Sequence, residues 1–174
     1  MELQSSISTK KKLLSVLFAW LIFIGIDFLF HASIFSTVWN EEVIALKPLN
    51  DLALLIPAGY LSFLLLTLIV GYVFFLIFKS KPSLYRVFQF GFIFALLFAL
   101  SNFFGLFSYV ALPLKQLVVF NLVYFIEILA ISISLYYISF HKSLKKSILY
   151  SLLIFFGLVF MGILVQNIFA FTAN

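Results

Sequence analysis

The chain has 174 residues, 65% hydrophobic and 20% aromatic, with only 10% charged and a mean hydropathy of +1.24. A soluble domain is about 45–50% apolar and about 25% charged, so a water-soluble globule is excluded before any motif is considered. The net charge of +5 does not indicate nucleic acid, because the basic residues are parcelled out between apolar runs instead of gathering on one polar face. Cysteine is absent, which removes disulfides, thiolate metal sites and a cysteine nucleophile and leaves the redox compartment unread.

A helix needs about 20 apolar residues to cross the hydrocarbon, and the runs Leu13–Phe35, Leu52–Phe78, Val87–Tyr109, Leu117–Ser139 and Ile148–Phe169 each qualify. Lys10–Lys12 precede the first run as they would in a secretory leader. That run is longer than the roughly 7–15 residues of a leader's apolar core, and Asp27 interrupts it, so a retained first span is expected. Pro48, Pro82 and Pro113 fall in connections, where a missing N–H costs little. Pro57 lies near the start of the second span, where a first-turn proline is accommodated. Irregular backbone cannot face lipid, and ten-residue alternating strands of the outer-membrane type are not seen. The expected fold is therefore all-α, one polytopic membrane domain over residues 1–174.

Orientation follows from lysine and arginine. Lys10, Lys11, Lys12, Lys79, Lys81, Arg86, Lys142, Lys145 and Lys146 share one side if all five runs cross; Lys47 and Lys115 lie on the other, with Glu41, Glu42 and Asp51. Dropping any span would scatter them over both faces. This places the N-terminus in the cytoplasm and the C-terminus outside. In the Trp39–Asp51 connection, Asn40 could cap a short interfacial helix with Glu41 and Glu42 in its first turn, and Trp39 suits the aromatic belt.

Ionisable groups inside a span are costly and point to function by default. Two acids are so placed, Asp27 and Glu127. By three-four spacing, Trp20, Ile24, Asp27, His31 and Ile34 line one stripe of the first helix. Asp27 lies roughly 13 Å below the outer edge and His31 roughly 7 Å, with Glu127 nearer mid-membrane, by the α-helical rise. In the third span Gly91, Ala95 and Ala99 repeat every four residues, a small-residue seam for close helix approach within or between chains. Asn102 continues that seam into the bundle. In the fourth, Tyr124, Glu127, Ala130 and Ser134 share a face, with Asn121 to one side. Tyr60 in the second span lies at comparable depth. Polar groups from four helices thus gather in the outer half of the membrane.

Three readings of this cluster stand side by side. It can be a pocket open to the outside in which Asp27 or Glu127 meets a small ligand, ion or proton. It can be a metal site, since Asp27, His31 and Glu127 offer oxygen and nitrogen donors. It can be a structural network that fixes helix register, with Asp27 bonded to His31 or Asn102 and Glu127 protonated against Tyr124 or a serine. His141, in the cytoplasmic connection, reads as a solvated histidine, and it cannot pair with His31 across the bilayer as axial haem ligands. Gln89 reads as interfacial, and Gln166 and Asn167 as wet amides closing the last helix. The 25 phenylalanines read as lipid-facing and packing mass. Gly157 and Gly162 are too far apart for a GxxxG pair, and phosphate-binding, nucleophile-elbow, HExxH and dinucleotide motifs are all missing.

IDFLFH in the first span, GFIFALLFALSNFF in the third and VYFIEIL in the fourth carry a resemblance. In these segments the chain resembles uncharacterised small bacterial multi-pass membrane proteins, a domain of unknown function. That resemblance implies topology and no activity. The tryptophan-rich sensory protein family also combines five helices with many aromatics, but this chain has only Trp20 and Trp39 and lacks that family's Trp- and Pro-rich helix signatures. The function expected is an integral protein of a bacterial inner membrane with an outward-facing polar pocket made by Asp27, His31, Tyr60, Asn102, Asn121, Tyr124 and Glu127, in transport or sensing. An accessory subunit of a membrane complex with no chemistry of its own comes second, and an intramembrane metal-dependent enzyme acting on lipid third. No cofactor is specified. The partners expected are the lipid bilayer and a small molecule or ion, not nucleic acid, with a homodimer or larger complex as the assembly.

Overall fold

Backbone polar groups of an apolar chain can bond only to one another, and the helix satisfies them locally. In the computed structural model, which describes residues 7–39, 49–141 and 143–172, every element is helical. The chain runs α1 (Thr9–Asp27), a π-helical segment (Phe28–Ile34), α2 (Ser36–Trp39), α3 (Leu49–Ile77), α4 (Leu84–Tyr109), α5 (Leu114–Phe140) and α6 (Leu144–Thr172). Five helical units are long and apolar enough to cross a membrane: Thr9–Ile34, Leu54–Ile77, Leu84–Tyr109, Leu114–Phe140 and Leu144–Thr172.

α1 and α4 begin ahead of their apolar stretches, where serine caps sit in the polar flanks. Ser8 Oγ accepts from Lys11 N and Ser83 Oγ from Arg86 N, each at 3.4 Å, relieving orphan donors of the first turns. An early start also corrects the reading of Pro57. Because α3 begins at Leu49, Pro57 stands inside the helix and not in its first turn. The short interfacial helix expected at Asn40, Glu41 and Glu42 lies outside the described residues.

The first span and α5 form the centre of the bundle. Of their most apolar stretches 39% and 44% are buried, against 22%, 11% and 11% for α3, α4 and α6. α5 packs on α4, α1 and α3, while α1 also carries α6 and α3 on its flanks. Phe23, Val16 and Ala19 of α1 meet Val70 and Phe74 of α3 and Ile128, Ile131 and Leu135 of α5 in one apolar core. Ser139 Oγ donates to Ser15 Oγ at 2.9 Å, tying α5 to α1 inside it. Lys11 Nζ reaches His141 O at 3.0 Å, and Lys12 lies over the Phe75 ring at 5.6 Å. The start of α1 and the ends of α3 and α5 therefore share one end of the bundle.

Gly91, Ala95 and Ala99 are buried, and the seam is spent within the chain. A Cβ on Gly91 would stand 2.8 Å from Ser132 Cβ and 3.0 Å from Leu129 Cδ1 of α5. Gly91→Ala should therefore push α4 off α5 at a cost of about 1–3 kcal/mol. Gly105→Ala, where a Cβ meets nothing within 4 Å, should leave stability unchanged or slightly raised. Melting temperatures of the two variants in one detergent check the contrast.

Candidate functional site

The first span ends inside protein, and its ending builds the site. After Asp27 the α-helical ladder gives way to a wider i→i+5 winding, seen where Phe35 N reaches Phe30 O at 2.8 Å. Such segments are rare and frequent at functional sites. The extra residue per turn rotates the side chains beyond it. Ser33 is fully buried, with its Oγ on Phe28 O at 3.2 Å, while Ile34 is 37% exposed. Ile34 thus leaves the stripe that plain α-helical spacing assigns it.

A helix end leaves carbonyls without partners, and here side chains from two other helices supply them. Gln166 of α6 donates Nε2 to Ala32 O at 2.7 Å. Gln116, fully buried in the first turn of α5, donates Nε2 to Val38 O at 2.9 Å. Ser36 Oγ takes Ser33 O at 2.8 Å. The reading of Gln166 as a wet amide is corrected by this contact: it clamps the π segment. Gly162, one turn earlier, lets α6 close on that segment, since a Cβ there would meet the Phe28 ring at 2.7 Å and Ser33 Oγ at 2.9 Å.

Held in this frame, Asp27 Oδ1 and His31 Nδ1 lie 2.6 Å apart, with both side chains 20% exposed. A carboxylate can only accept, so a neutral imidazole paired with it this way donates from Nδ1 and keeps its lone pair on Nε2. Glu127 projects from the middle of α5 toward them. One donor atom from each of Asp27, His31 and Glu127 can be chosen so that all lie within 4.8 Å of one another. Glu127 is 0% exposed, and neither of its oxygens has a hydrogen-bond partner; His31 Nε2 is buried and unpartnered as well.

Aromatic rings close the surroundings. The Trp39 and Phe120 rings stand 5.1 and 5.8 Å from the imidazole, and Phe120 is 4.7 Å edge-on from Tyr124. Trp39 therefore does more than anchor an interface: its ring walls the histidine, and its indole N–H is buried without a partner.

The remaining polar residues lie elsewhere. Asn102 Nδ2 donates to Asn121 Oδ1 at 2.9 Å, and Asn121 Nδ2 to Leu117 O at 2.7 Å, so the two amides pair with each other across α4 and α5. Asn102 also borders a recess of about 250 Å³ with Ser101, Gly105 and Tyr109. Tyr60 is 37% exposed, and its backbone carbonyl takes the indole N–H of Trp20 at 3.1 Å. The four-helix polar gathering is thus an Asp27–His31–Glu127 centre with Tyr124 beside it, a separate amide pair, and Tyr60 apart. Trp39, Gln116, Phe120 and Gln166 were not identified as site residues from sequence. Only the spacing of the two glutamines at helix ends hinted at the carbonyls they serve.

Gln166→Leu should strand the Ala32 carbonyl in an apolar setting, a penalty of about 1–3 kcal/mol. Thermal unfolding in detergent should show that loss, whereas Asn167→Leu, exposed on the same turn, should not. Comparison with known proteins finds no matching family model, no matching curated protein and no matching solved structure, so the chemistry of this centre is read from its own geometry.

Proposed function

We propose that this chain is a multi-pass protein of a bacterial inner membrane, N-terminus in the cytoplasm, whose Asp27–His31–Glu127 centre opens outward and binds a small cation in a transport or sensing role. The orientation rests on the distribution of Lys and Arg along the chain. The cation rests on one observation, the fully buried carboxyl group of Glu127 with both oxygens unpartnered. Taking a carboxylate out of water without a partner is among the most expensive steps in a membrane protein. Asp27 adds a second acid nearby, which makes the neighbourhood still less hospitable to an uncompensated anion. A cation between the two acids removes both costs together.

Access supports the same reading. Asp27 and His31 retain 20% exposure while Glu127 has none, so an ion would reach the centre from the side of Asp27 and His31. A register-fixing network would leave Glu127 bonded, as it leaves Asn121 bonded. The accessory-subunit reading would keep these residues as packing alone.

A bound cation stabilises the folded state by mass action, by about 2.7 kcal/mol at a hundredfold excess over Kd. Purified protein should therefore melt higher in the presence of one or more of Na⁺, K⁺, Mg²⁺, Ca²⁺, Mn²⁺, Co²⁺ or Zn²⁺. Glu127→Gln should abolish the rise while remaining folded. Equal melting in all ions for both proteins would leave the centre a structural network.

A further inference from the structure

Resting on the cation-binding reading, we infer that the centre takes a single divalent transition-metal ion of the zinc class, held by Glu127 and by Nε2 of His31, with Asp27 orienting the imidazole.

The donor set selects the class of ion. Alkali ions, Mg²⁺ and Ca²⁺ are bound through oxygen, and an imidazole at the middle of such a site would be wasted. Imidazole with carboxylate suits Zn²⁺, Fe²⁺, Co²⁺ or Mn²⁺, and a chain without cysteine offers none of the thiolates that favour Cu⁺. The pairing of Asp27 with His31 Nδ1 at 2.6 Å has a direct meaning here. A metal-bound histidine almost always donates its other ring N–H to a carboxylate or carbonyl, which fixes the tautomer and turns the lone pair toward the metal. The atoms left over, Nε2 of His31 and both oxygens of Glu127, are all buried without partners, as are the Trp39 indole nitrogen and Gln116 Oε1.

The spacing is near what an ion would require. Bonds of roughly 2.0–2.2 Å to nitrogen and oxygen place tetrahedral ligands about 3.4 Å apart, and donor atoms of the three side chains lie within 4.8 Å. The glutamate side chain, with its rotatable bonds, supplies the movement that closes the difference. Two or three protein donors leave at least one position for water or another molecule. That is the pattern of an exchangeable or reactive site, not of a closed structural one.

The test uses full-length protein in detergent, stripped with a chelator, with Zn²⁺ and Co²⁺ as probes. One equivalent of Zn²⁺ should bind, the melting temperature should rise, and Co²⁺ should give visible absorption of nitrogen–oxygen coordination. Glu127→Gln and His31→Ala should remove binding. Asp27→Asn, acting through the imidazole, should weaken it about 10–100-fold, and His141→Ala should leave it unchanged. If His31→Ala does not fold, His31→Gln takes its place, and the Co²⁺ spectrum of the unaltered protein stands on its own. Failure to take up Zn²⁺ or Co²⁺, or undiminished binding by the His31 variant, overturns the inference. If Na⁺, Mg²⁺ or Ca²⁺ then stabilises the protein through Glu127, the cation-binding reading survives without the transition metal. If no ion does, both fall.

Discussion

In a chain this apolar, the organising constraint is that each polar group must find its partner inside the protein. Lipid offers none, and the hydrophobic effect that compacts a soluble domain is absent between helices. Where the first span ends, the constraint is met by Gln116 and Gln166, which carry amides to the carbonyls of Val38 and Ala32. At the α4–α5 contact it is met by Asn102 and Asn121. Between the central helices Ser139 Oγ donates to Ser15 Oγ, which in turn donates to Lys11 O. At Glu127 neither oxygen is met, and His31 Nε2, the Trp39 indole nitrogen and Gln116 Oε1 are also left without a partner; Glu127 lies where the two most buried helices face each other.

The π segment explains how an acid and an imidazole can be aimed from a helix end. An α-helix continued through Ile34 would carry Ile34 on the Asp27 face and turn Ser33 away. The wider winding reverses this and buries Ser33. It is held from outside, by Gln166 on a carbonyl and by the absence of a side chain at Gly162, where the Phe28 ring comes in. Site geometry is therefore shared among three helices: the first supplies Asp27 and His31, α5 supplies Glu127 and the Phe120 wall, and α6 fixes the winding. That division keeps Glu127 on a well-packed element while Asp27 and His31 stay partly exposed.

Five spans were legible in the sequence because the hydropathy contrast is large and each connection carries charge or proline. The helical faces of Asp27 and Glu127 were legible too, from three-four spacing and from the small residues that show which way a helix looks. Three things were not. The departure from α-helical winding after Asp27 depends on contacts with α6, far away in sequence, so periodicity alone placed Ile34 on the wrong stripe. Terminal amides such as Gln166 look the same on paper whether they meet water or a stranded carbonyl. Depth put Tyr60 level with the acids, but depth does not fix rotation, and that helix turns the residue outward.

The Asn102–Asn121 pair supplies an internal standard for judging the acids. It occupies the same bundle, joins two packed helices, and shows what side chains do when their task is to fix register: Asn121 both accepts from its partner and donates to a carbonyl of its own helix. Glu127 is on the same helix, is buried more completely than Asn121, and has hydroxyls one turn or so away at Tyr124 and Ser132. Ser132 bonds to the Ile128 carbonyl instead. A carboxyl group kept for register alone would be better served by an amide, which is cheaper to bury and can donate as well as accept. An acid at that position, beside a second acid and an imidazole already paired with it, differs from an amide in that it can exist with or without a proton, and so with or without a negative charge.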